Sequence, residues 1–105
     1  MLTFNDYQTS ALATVVYPDK AKIIYPALGL ASEAGEVAGK LSKWVRGDGP
    51  LDKEQLAKEL GDVLWNVAVL AYDLGLTMEE VAHGNIQKLL DRQSRGVLKG
   101  NGDNR

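Results

Sequence analysis

Two pairs of carboxylates are the residues of this chain best placed to do chemistry. Glu33 and Glu36 are three positions apart, and so are Glu59 and Asp62. On an α-helix, residues three positions apart lie on one face, about one turn from each other. Each pair can therefore aim two carboxylates at one point if its segment is helical. Either pair taken alone is also typical of an ordinary solvated helix face.

The two pairs lie symmetrically about a predicted reversal of the chain. The outer acids, Glu33 and Asp62, are equally far from the junction of Gly47 and Asp48, and the two inner acids are equally far from it as well. Residues 46–50, Arg-Gly-Asp-Gly-Pro, are a strong turn signal. If both flanks are helical, the outer acids lie level with each other across the helix pair, and so do the inner ones. The sequence therefore predicts one cluster of four acids.

Four clustered carboxylates need a counter-charge. Two unit negative charges about 5 Å apart repel each other by roughly 3 kcal/mol at an effective dielectric constant of ~20. Either some of the acids stay protonated or a divalent cation lies among them. Carboxylate oxygens prefer hard cations, so the pattern indicates Mg²⁺, Mn²⁺ or Ca²⁺ rather than zinc. Asp62 supports this interpretation, because it lies in an apolar run where an acid without a role would be poorly placed.

The composition excludes several other kinds of site. The chain has 105 residues, a formal charge of −2, no cysteine and one histidine, His83. One domain of this length can bury a modest core. Disulfides, thiolate nucleophiles and cysteine-ligated zinc are excluded, and a histidine-rich metal site is not expected. The chain has no basic block except a sparse one near the C-terminus, no membrane-spanning apolar run and no signal-peptide pattern. We therefore expect a cytoplasmic protein that binds neither nucleic acid nor membrane.

Four helices are predicted to position the acids. The first begins at Thr3, where Asp6 completes a weak capping box, and ends at residues 17–19, Tyr-Pro-Asp. The second begins near Pro26 and runs to residue 45 or 46. Between them, a connector is predicted to run over the surface, where it can border a site.

The second helix carries residues with two possible explanations each. Gly29, Gly35 and Gly39 each weaken a helix by about 1 kcal/mol relative to alanine. Their presence indicates either a close approach of backbone or ligand, or tight packing against another helix. Lys40 and Lys43 follow the first acidic pair, and they can meet phosphate oxygens or simply pair with acids in solvent.

The third helix is predicted from an N-cap at Asp52 to a stop at Gly75, with its last turn at residue 73 or 74. Between Val63 and Tyr72 its only strongly polar residue is Asn66. A helix that is apolar on all sides is buried on all sides, and four short helices cannot enclose one of their number, so we expect an oligomer. Asn66 lies one turn beyond the second acidic pair. It either orients a ligand or is a buried amide satisfied by protein groups.

The fourth helix begins with a Thr77–Glu80 capping box and is predicted to end near Arg92. Its residues Asn85, Lys88 and Arg92 share a face. That face is either an anion-binding stripe or an ordinary solvated surface. Glycines and scattered charges follow, so residues 93–105 are predicted to be a flexible tail beyond a single domain of residues 1–92.

Three motifs together resemble one known family. They are residues 28–37, Leu-Gly-Leu-Ala-Ser-Glu-Ala-Gly-Glu-Val; residues 58–65, Lys-Glu-Leu-Gly-Asp-Val-Leu-Trp; and residues 85–92, Asn-Ile-Gln-Lys-Leu-Leu-Asp-Arg. The pattern resembles the MazG-like nucleoside triphosphate pyrophosphohydrolases over roughly residues 7–92. The resemblance implies an all-α, four-helix bundle that forms a homodimer or homotetramer through its helices. It also implies hydrolysis of an NTP or dNTP to the monophosphate and pyrophosphate, with Mg²⁺ or alternatively Mn²⁺, in housekeeping of the nucleotide pool.

The resemblance also implies roles for particular residues. The metal ligands would be Glu33, Glu36, Glu59 and Asp62. The groups that meet the triphosphate would be Asn85, Lys88 and Arg92, acting within one subunit or across a subunit boundary. Lys40 and Asn66 are further candidates for substrate binding by their position. In a chain with no cysteine and one histidine, the general base is expected to be a carboxylate, and Glu33 and Glu36 are equal candidates. Trp44, Trp65 and Tyr72 can stack on a base or belong to the core or an interface.

Two other interpretations stay open. A phosphoribosyl-ATP pyrophosphohydrolase would share the acids and differ in substrate, although residues 44–48, Trp-Val-Arg-Gly-Asp, look more MazG-like. A non-catalytic helical oligomer would use the acids to hold a structural cation or to pair with lysines. Glu36→Gln separates this last class from an enzyme, which should keep its fold and lose turnover.

Overall fold

Four α-helices and one short 3₁₀ helix make up the structure, a computed structural model that describes all 105 residues. The α-helices are α1 (Phe4–Leu12), α2 (Ile24–Val45), α3 (Lys53–Asp73) and α4 (Met78–Ser94), and the 3₁₀ helix is Asp19–Ala21. The predicted all-α class with four α-helices is confirmed. None of these helices combines the length and the apolar character needed to cross a bilayer.

Three of the four helix starts follow from local side-chain capping. Thr3, Asp52 and Thr77 are the N-caps of α1, α3 and α4, and each side chain accepts a hydrogen bond from a backbone N–H of the first turn. Such a cap satisfies a donor that the helix itself leaves free. The second helix has no side-chain cap and begins at Ile24, two residues before the predicted Pro26. The predicted N-caps at Asp52 and Thr77 and the capping box at Thr3–Asp6 are confirmed, whereas Glu80 accepts from the hydroxyl of Thr77 rather than from its backbone N–H, so the second capping box is not formed.

The prediction that the first helix runs to residue 17 is wrong, because α1 ends at Leu12. The hydroxyl of Thr14 donates to the carbonyl oxygen of Ala11 at 2.7 Å and accepts from the indole N–H of Trp65 at 2.8 Å. Threonine hydroxyls compete in this way with regular helical hydrogen bonds. The apolar spacing continues past Leu12, but the chain is bent towards α3 instead.

The helix pair α2–α3 forms the most extensive contact of the fold. The chain reverses between these helices at Gly47 and Gly49, whose φ angles of 89° and 139° suit glycine, as the turn signal predicted. Helix α1 packs on α3 and α4, and α4 packs on α1 and α3. The buried core lies at this second junction and is small, consisting of Ala11, Ala68, Val69 and Met78.

A buried glutamine joins the three helices at that core. The side-chain amide of Gln8, on α1, donates to the carbonyl oxygens of Ala68 at 2.9 Å and Leu76 at 3.1 Å. Its amide oxygen accepts from the backbone N–H of Met78 at 3.2 Å. Gln8 therefore fixes the end of α3 and the start of α4 relative to α1. Nothing in the local sequence distinguishes it from a surface glutamine.

Candidate metal centre and adjoining cavity

Three carboxylates meet across the α2–α3 pair. Glu33 comes from α2, and Glu59 and Asp62 come from consecutive turns of α3. One oxygen from each lies within 4.8 Å of the other two. Glu33 and Glu59 are half-buried, whereas Asp62 is exposed, so its apolar neighbours in the sequence do not enclose it. The structure therefore brings together three of the four predicted ligands.

Three of the four predicted acids form the group in this structure, and the role of Glu36 as a ligand stays a prediction. Glu36 is exposed and lies outside the group, although its charge still acts on Glu33. One turn further along α2, the ammonium group of Lys40 lies 3.9 Å from a carboxylate oxygen of Glu59. Residues that are equally far from the turn in sequence lie opposite each other in the backbones of the two helices. This register does not determine whether their side chains reach each other. The inner acid of α3 thus faces a lysine as well as Glu33.

The surroundings of Glu33 favour its protonated form. The pKa of Glu33 is raised, first because its carboxyl group can share a hydrogen bond with Glu59, then by burial, and then by the charges of Asp62, Glu59 and Glu36. A raised pKa means that the chain alone does not neutralise the cluster fully. An all-oxygen donor set with excess negative charge fits a hard cation such as Mg²⁺ or Mn²⁺.

A cavity of ≈ 510 Å³ adjoins the acids. Glu33 and Asp62 line it, and so do Tyr17 of the connector between α1 and α2 and Tyr25 of the first turn of α2. Trp65, one of the three aromatic residues singled out for stacking, also borders the cavity, whereas Trp44 and Tyr72 do not. A cavity of this size is in the range of small-molecule sites.

Asn66 lies at the inner end of this cavity and is only 6% exposed. Its side-chain N–H donates to the backbone carbonyl of Asp62 at 2.8 Å, and no donor of the chain reaches its amide oxygen. That oxygen faces Gly29, where an added Cβ would lie 2.2 Å away from it. The close approach offered as one explanation of the helix glycines therefore applies to Gly29. A Cβ added at Gly35 or Gly39, by contrast, would have no neighbouring atom within 4 Å.

The aromatic side of the cavity was not predicted residue by residue. The rings of Tyr17 and Tyr25 stack with centroids 5.1 Å apart and an angle of 26° between their planes. The sequence offered one signal, namely that the connector between the first two helices can border a site. Tyr7 of α1 also lies near the acids, since its pKa is raised by burial and then by the charge of Asp62.

The predicted phosphate-binding residues of α4 do not join the acids within one chain. None of Asn85, Lys88 and Arg92 borders the cavity. Asp103 instead accepts hydrogen bonds from Lys88 at 3.1 Å and from the 5%-exposed Arg92 at 3.3 Å. These hydrogen bonds, followed by the two positive charges, lower the pKa of Asp103. Residues beyond α4 thus fold back on it through Asp103. The flexibility of residues 93–105 stays a prediction, and so does the domain limit at residue 92.

Known proteins provide an independent comparison with this geometry. The profile of the MazG nucleotide pyrophosphohydrolase domain matches residues 26–97, which contain all the acids of the site and the cations of α4. The chain is 41% identical over 109 residues to the Gene 37 protein of Mycobacterium phage L5, covering 94% of this chain and 96% of that protein. It is 36% identical over 72 residues to the uncharacterized protein YvdC of Bacillus subtilis (strain 168), covering 60% of this chain and 68% of that protein. No solved structure matches the chain.

The family profile covers more than half of the chain, and the match to the phage protein spans nearly all of it. The matched segment contains the helix pair that brings Glu33, Glu59 and Asp62 together beside the cavity. The chain belongs to the MazG nucleotide pyrophosphohydrolase family.

Proposed function

We propose that this protein is a Mg²⁺-dependent nucleoside triphosphate pyrophosphohydrolase, which converts an NTP or dNTP to the monophosphate and pyrophosphate. The observation that carries the proposal is the group of three carboxylates beside a cavity of ligand size, in a chain of the MazG family. A role in nucleotide-pool housekeeping is consistent with this reaction.

The proposed ligands are Glu33, Glu59 and Asp62, with Glu36, one turn further along α2 than Glu33, as the proposed fourth. A divalent cation held there would neutralise charge on the phosphates and lower the pKa of a bound water. Mg²⁺ is the first choice for such oxygens, and Mn²⁺ is the second. Lys40 competes for Glu59 in the chain alone, and the same ammonium group is close enough to the acids to contact a bound phosphate.

Hydrolysis between the α- and β-phosphorus atoms also needs a base that accepts a proton from the attacking water. Glu33 and Glu36 are the proposed candidates. Glu33 lies in the group and borders the cavity, and a carboxylate in such a position can accept a proton from an attacking water. Glu36 is exposed and close enough to act on Glu33 electrostatically. Both remain in the proposal until their variants are measured.

The cavity is the proposed site of the nucleoside. Its aromatic residues offer flat apolar faces to a planar base. The free amide oxygen of Asn66 offers an acceptor for an N–H or O–H donor of the nucleoside, and the fixed donation to Asp62 keeps that oxygen in place. The oxygen is not sealed from solvent, so a nucleoside with a matching donor would pair with it, and one without that donor would leave it without a hydrogen bond to the ligand.

The phosphate-binding residues Asn85, Lys88 and Arg92 are proposed to act from a second copy of the chain, because α4 does not line the cavity of its own chain. Only nine of 105 residues are buried, and the accessible surface is 7642 Å². A monomer of this mass is expected to expose about 5,800 Å², so the chain exposes about 1,800 Å² more. The radius of gyration, 16.4 Å, likewise exceeds the value of about 13 Å for a compact domain of this length.

A homodimer or homotetramer is therefore part of the proposal. Large apolar residues are exposed on both long helices, among them Leu28 of α2 and Leu60 of α3, which are 67% and 57% exposed. An obligate interface between two copies buries about 2,000–5,000 Å² in total, which the excess surface of two chains would supply. Sedimentation equilibrium should give a mass of two or four times 11.4 kDa. A stable monomer at micromolar concentration would contradict both the assembly and the shared site.

The experiment that tests the activity is pyrophosphate release from the standard NTPs and dNTPs, with Mg²⁺ and with EDTA. Wild type should be active only with metal. Asp62→Asn should lose at least about 100-fold, the scale of removing one group that stabilises the transition-state charge. Glu54→Gln is the matched control, because Glu54 is an exposed acid of the same helix outside the group. Glu36→Gln decides whether Glu36 takes part. No release from any nucleotide would contradict the proposal.

A further inference from the structure

The connector between α1 and α2 is held in a strained conformation at one residue. Ile23 has φ 69° and ψ −55°, and across it the backbone N–H of Ile24 donates to the carbonyl of Lys22 at 2.7 Å. These angles and that hydrogen bond define a γ-turn of the rare, strained kind. Positive φ is especially unfavourable for a β-branched residue. Such a conformation persists only where surrounding contacts hold it.

Asp73 provides those contacts. It is the last residue of α3, and one of its carboxylate oxygens accepts from the backbone N–H of Ile23 at 2.9 Å and from the hydroxyl of Tyr17 at 2.7 Å. Hydrogen bonds to a carboxylate are shorter and stronger than those between neutral groups. A single oxygen thus fastens the connector at two points, Tyr17 in its middle and Ile23 at its end, to the helix that carries Glu59 and Asp62.

The fastened connector and the first turn of α2, which follows it directly, form the aromatic wall of the cavity. Tyr17 stacks on Tyr25, and both rings border the cavity that Glu33 and Asp62 also line. Asp73 itself does not border the cavity. Burial first, and then the hydrogen bond to Asp73, raises the pKa of Tyr17, so its hydroxyl stays a donor at neutral pH. The position of both rings therefore depends on a residue that would not touch a ligand.

We propose that Asp73 is a positioning residue for the substrate: by holding the γ-turn at Ile23 and the hydroxyl of Tyr17, it fixes the wall against which the nucleoside packs. The inference rests on the proposed function, which supplies a nucleoside. It assigns Asp73 to substrate affinity and base preference rather than to bond cleavage. The phosphate end of the substrate lies at the acids and should not depend on Asp73.

Asp73→Ala should raise KM for the preferred nucleotide at least tenfold, while kcat changes less than threefold. The values of kcat/KM for nucleotides with different bases should become more alike, because aromatic rings that are no longer held in place discriminate less between the bases. Tyr17→Phe removes one of the two donors and should shift KM in the same direction by a smaller factor. Asp19→Ala is the matched control, since Asp19 lies in the same connector, pairs only with Lys22 at 3.7 Å and does not reach α3.

Two inhibitors test the binding of the nucleoside end and of the phosphate end of the substrate separately. In Asp73→Ala, inhibition by the nucleoside monophosphate should weaken in proportion to KM, whereas inhibition by pyrophosphate should stay within twofold of wild type. Unchanged KM and base preference would overturn the inference. So would equal weakening by both inhibitors, which would mean that the variant disturbs the whole site. If Asp73→Ala does not fold, as judged by circular dichroism, Tyr17→Phe is tested in its place with the same outcomes.

The strain has its own test. Glycine adopts positive φ without strain, so the change in melting temperature caused by Ile23→Gly should be more favourable in wild type, where Asp73 holds the turn, than in Asp73→Ala, where the turn can relax. An equal change in both backgrounds would mean that Asp73 does not hold the γ-turn. A wild type that releases no pyrophosphate would refute the proposed function but would leave the wall testable through quenching of Trp65 fluorescence by free nucleosides. Absence of quenching in wild type, or equal quenching in Asp73→Ala, would overturn the inference by that route.

Discussion

Gly29→Ala should lower the free energy of unfolding, although alanine is the better helix former. An added Cβ would lie 2.2 Å from the amide oxygen of Asn66 and 3.0 Å from its Cγ, so one of the two helices or the amide must move. Asn66 is buried and its N–H is committed to the carbonyl of Asp62 at 2.8 Å. Breaking that hydrogen bond or overpacking the contact costs about 1–3 kcal/mol.

The gain in helix propensity offsets part of this cost. Gly→Ala in a helix interior stabilises by about 1 kcal/mol, so the net loss for Gly29→Ala should be about 1 kcal/mol. Gly35→Ala is the matched control, because it lies in the same helix and its Cβ position is open. Gly35→Ala should therefore raise the free energy of unfolding by the gain in helix propensity alone, about 1 kcal/mol. The difference between the two variants, about 2 kcal/mol, isolates the contact with Asn66.

Urea denaturation at one protein concentration measures this difference. With a slope of about 2 kcal/mol/M, the two midpoints should differ by about 1 M. In an Asn66→Ala background the clash is removed, so the difference between Gly29→Ala and Gly35→Ala should vanish. Equal midpoints for the two glycine variants in the wild-type background would refute the close approach of α2 to Asn66.

Three further predictions concern the charged residues. Mg²⁺ at ten times its Kd should stabilise wild type by about 1.4 kcal/mol in thermal unfolding but should not stabilise Asp62→Asn, and equal shifts would exclude Asp62 as a ligand. The pKa of Glu33 is raised in the folded state. The metal-free protein should therefore lose stability as pH rises from the ordinary glutamate pKa through the raised one. A Glu33→Gln variant whose melting temperature has the same slope against pH as that of wild type would contradict this. The pKa of Asp103 is lowered, so Asp103→Asn should reduce the melting temperature at pH 7, where Arg92 loses a charged partner, and this difference should disappear as pH falls through the lowered pKa. A difference that persists in acid would show that the charge of Asp103 is not responsible.

The sequence predicted the features that depend on local rules. Thr3, Asp52 and Thr77 are N-caps because short polar side chains reach a backbone N–H in the next turn. The glycines of the turn reverse the chain where positive φ is required. Because the turn sets the end of α2 and the N-cap sets the start of α3, the register of the two helices that brings Glu33 to Asp62 follows from them.

Contacts between residues distant in sequence could not be predicted in the same way. The hydroxyl of Tyr17 meets Asp73, 56 positions away, and the amide of Gln8 meets residues 60–70 positions away. Neither polar residue differs locally from one that points into solvent. The segment after Leu12 likewise involves a distant residue, since the indole N–H of Trp65 donates to the hydroxyl of Thr14. Such contacts arise only once the helices have packed.

The measurement that tests the central claim most directly is the identity of the products. Phosphorus NMR of a reaction mixture distinguishes cleavage between the α- and β-phosphates from cleavage at the terminal phosphate. We expect nucleoside monophosphate and pyrophosphate in equal amounts with Mg²⁺, and neither with EDTA or with Asp62→Asn. Nucleoside diphosphate and orthophosphate, or cleavage that continues in EDTA, would contradict a metal-dependent pyrophosphohydrolase built on Glu33, Glu59 and Asp62.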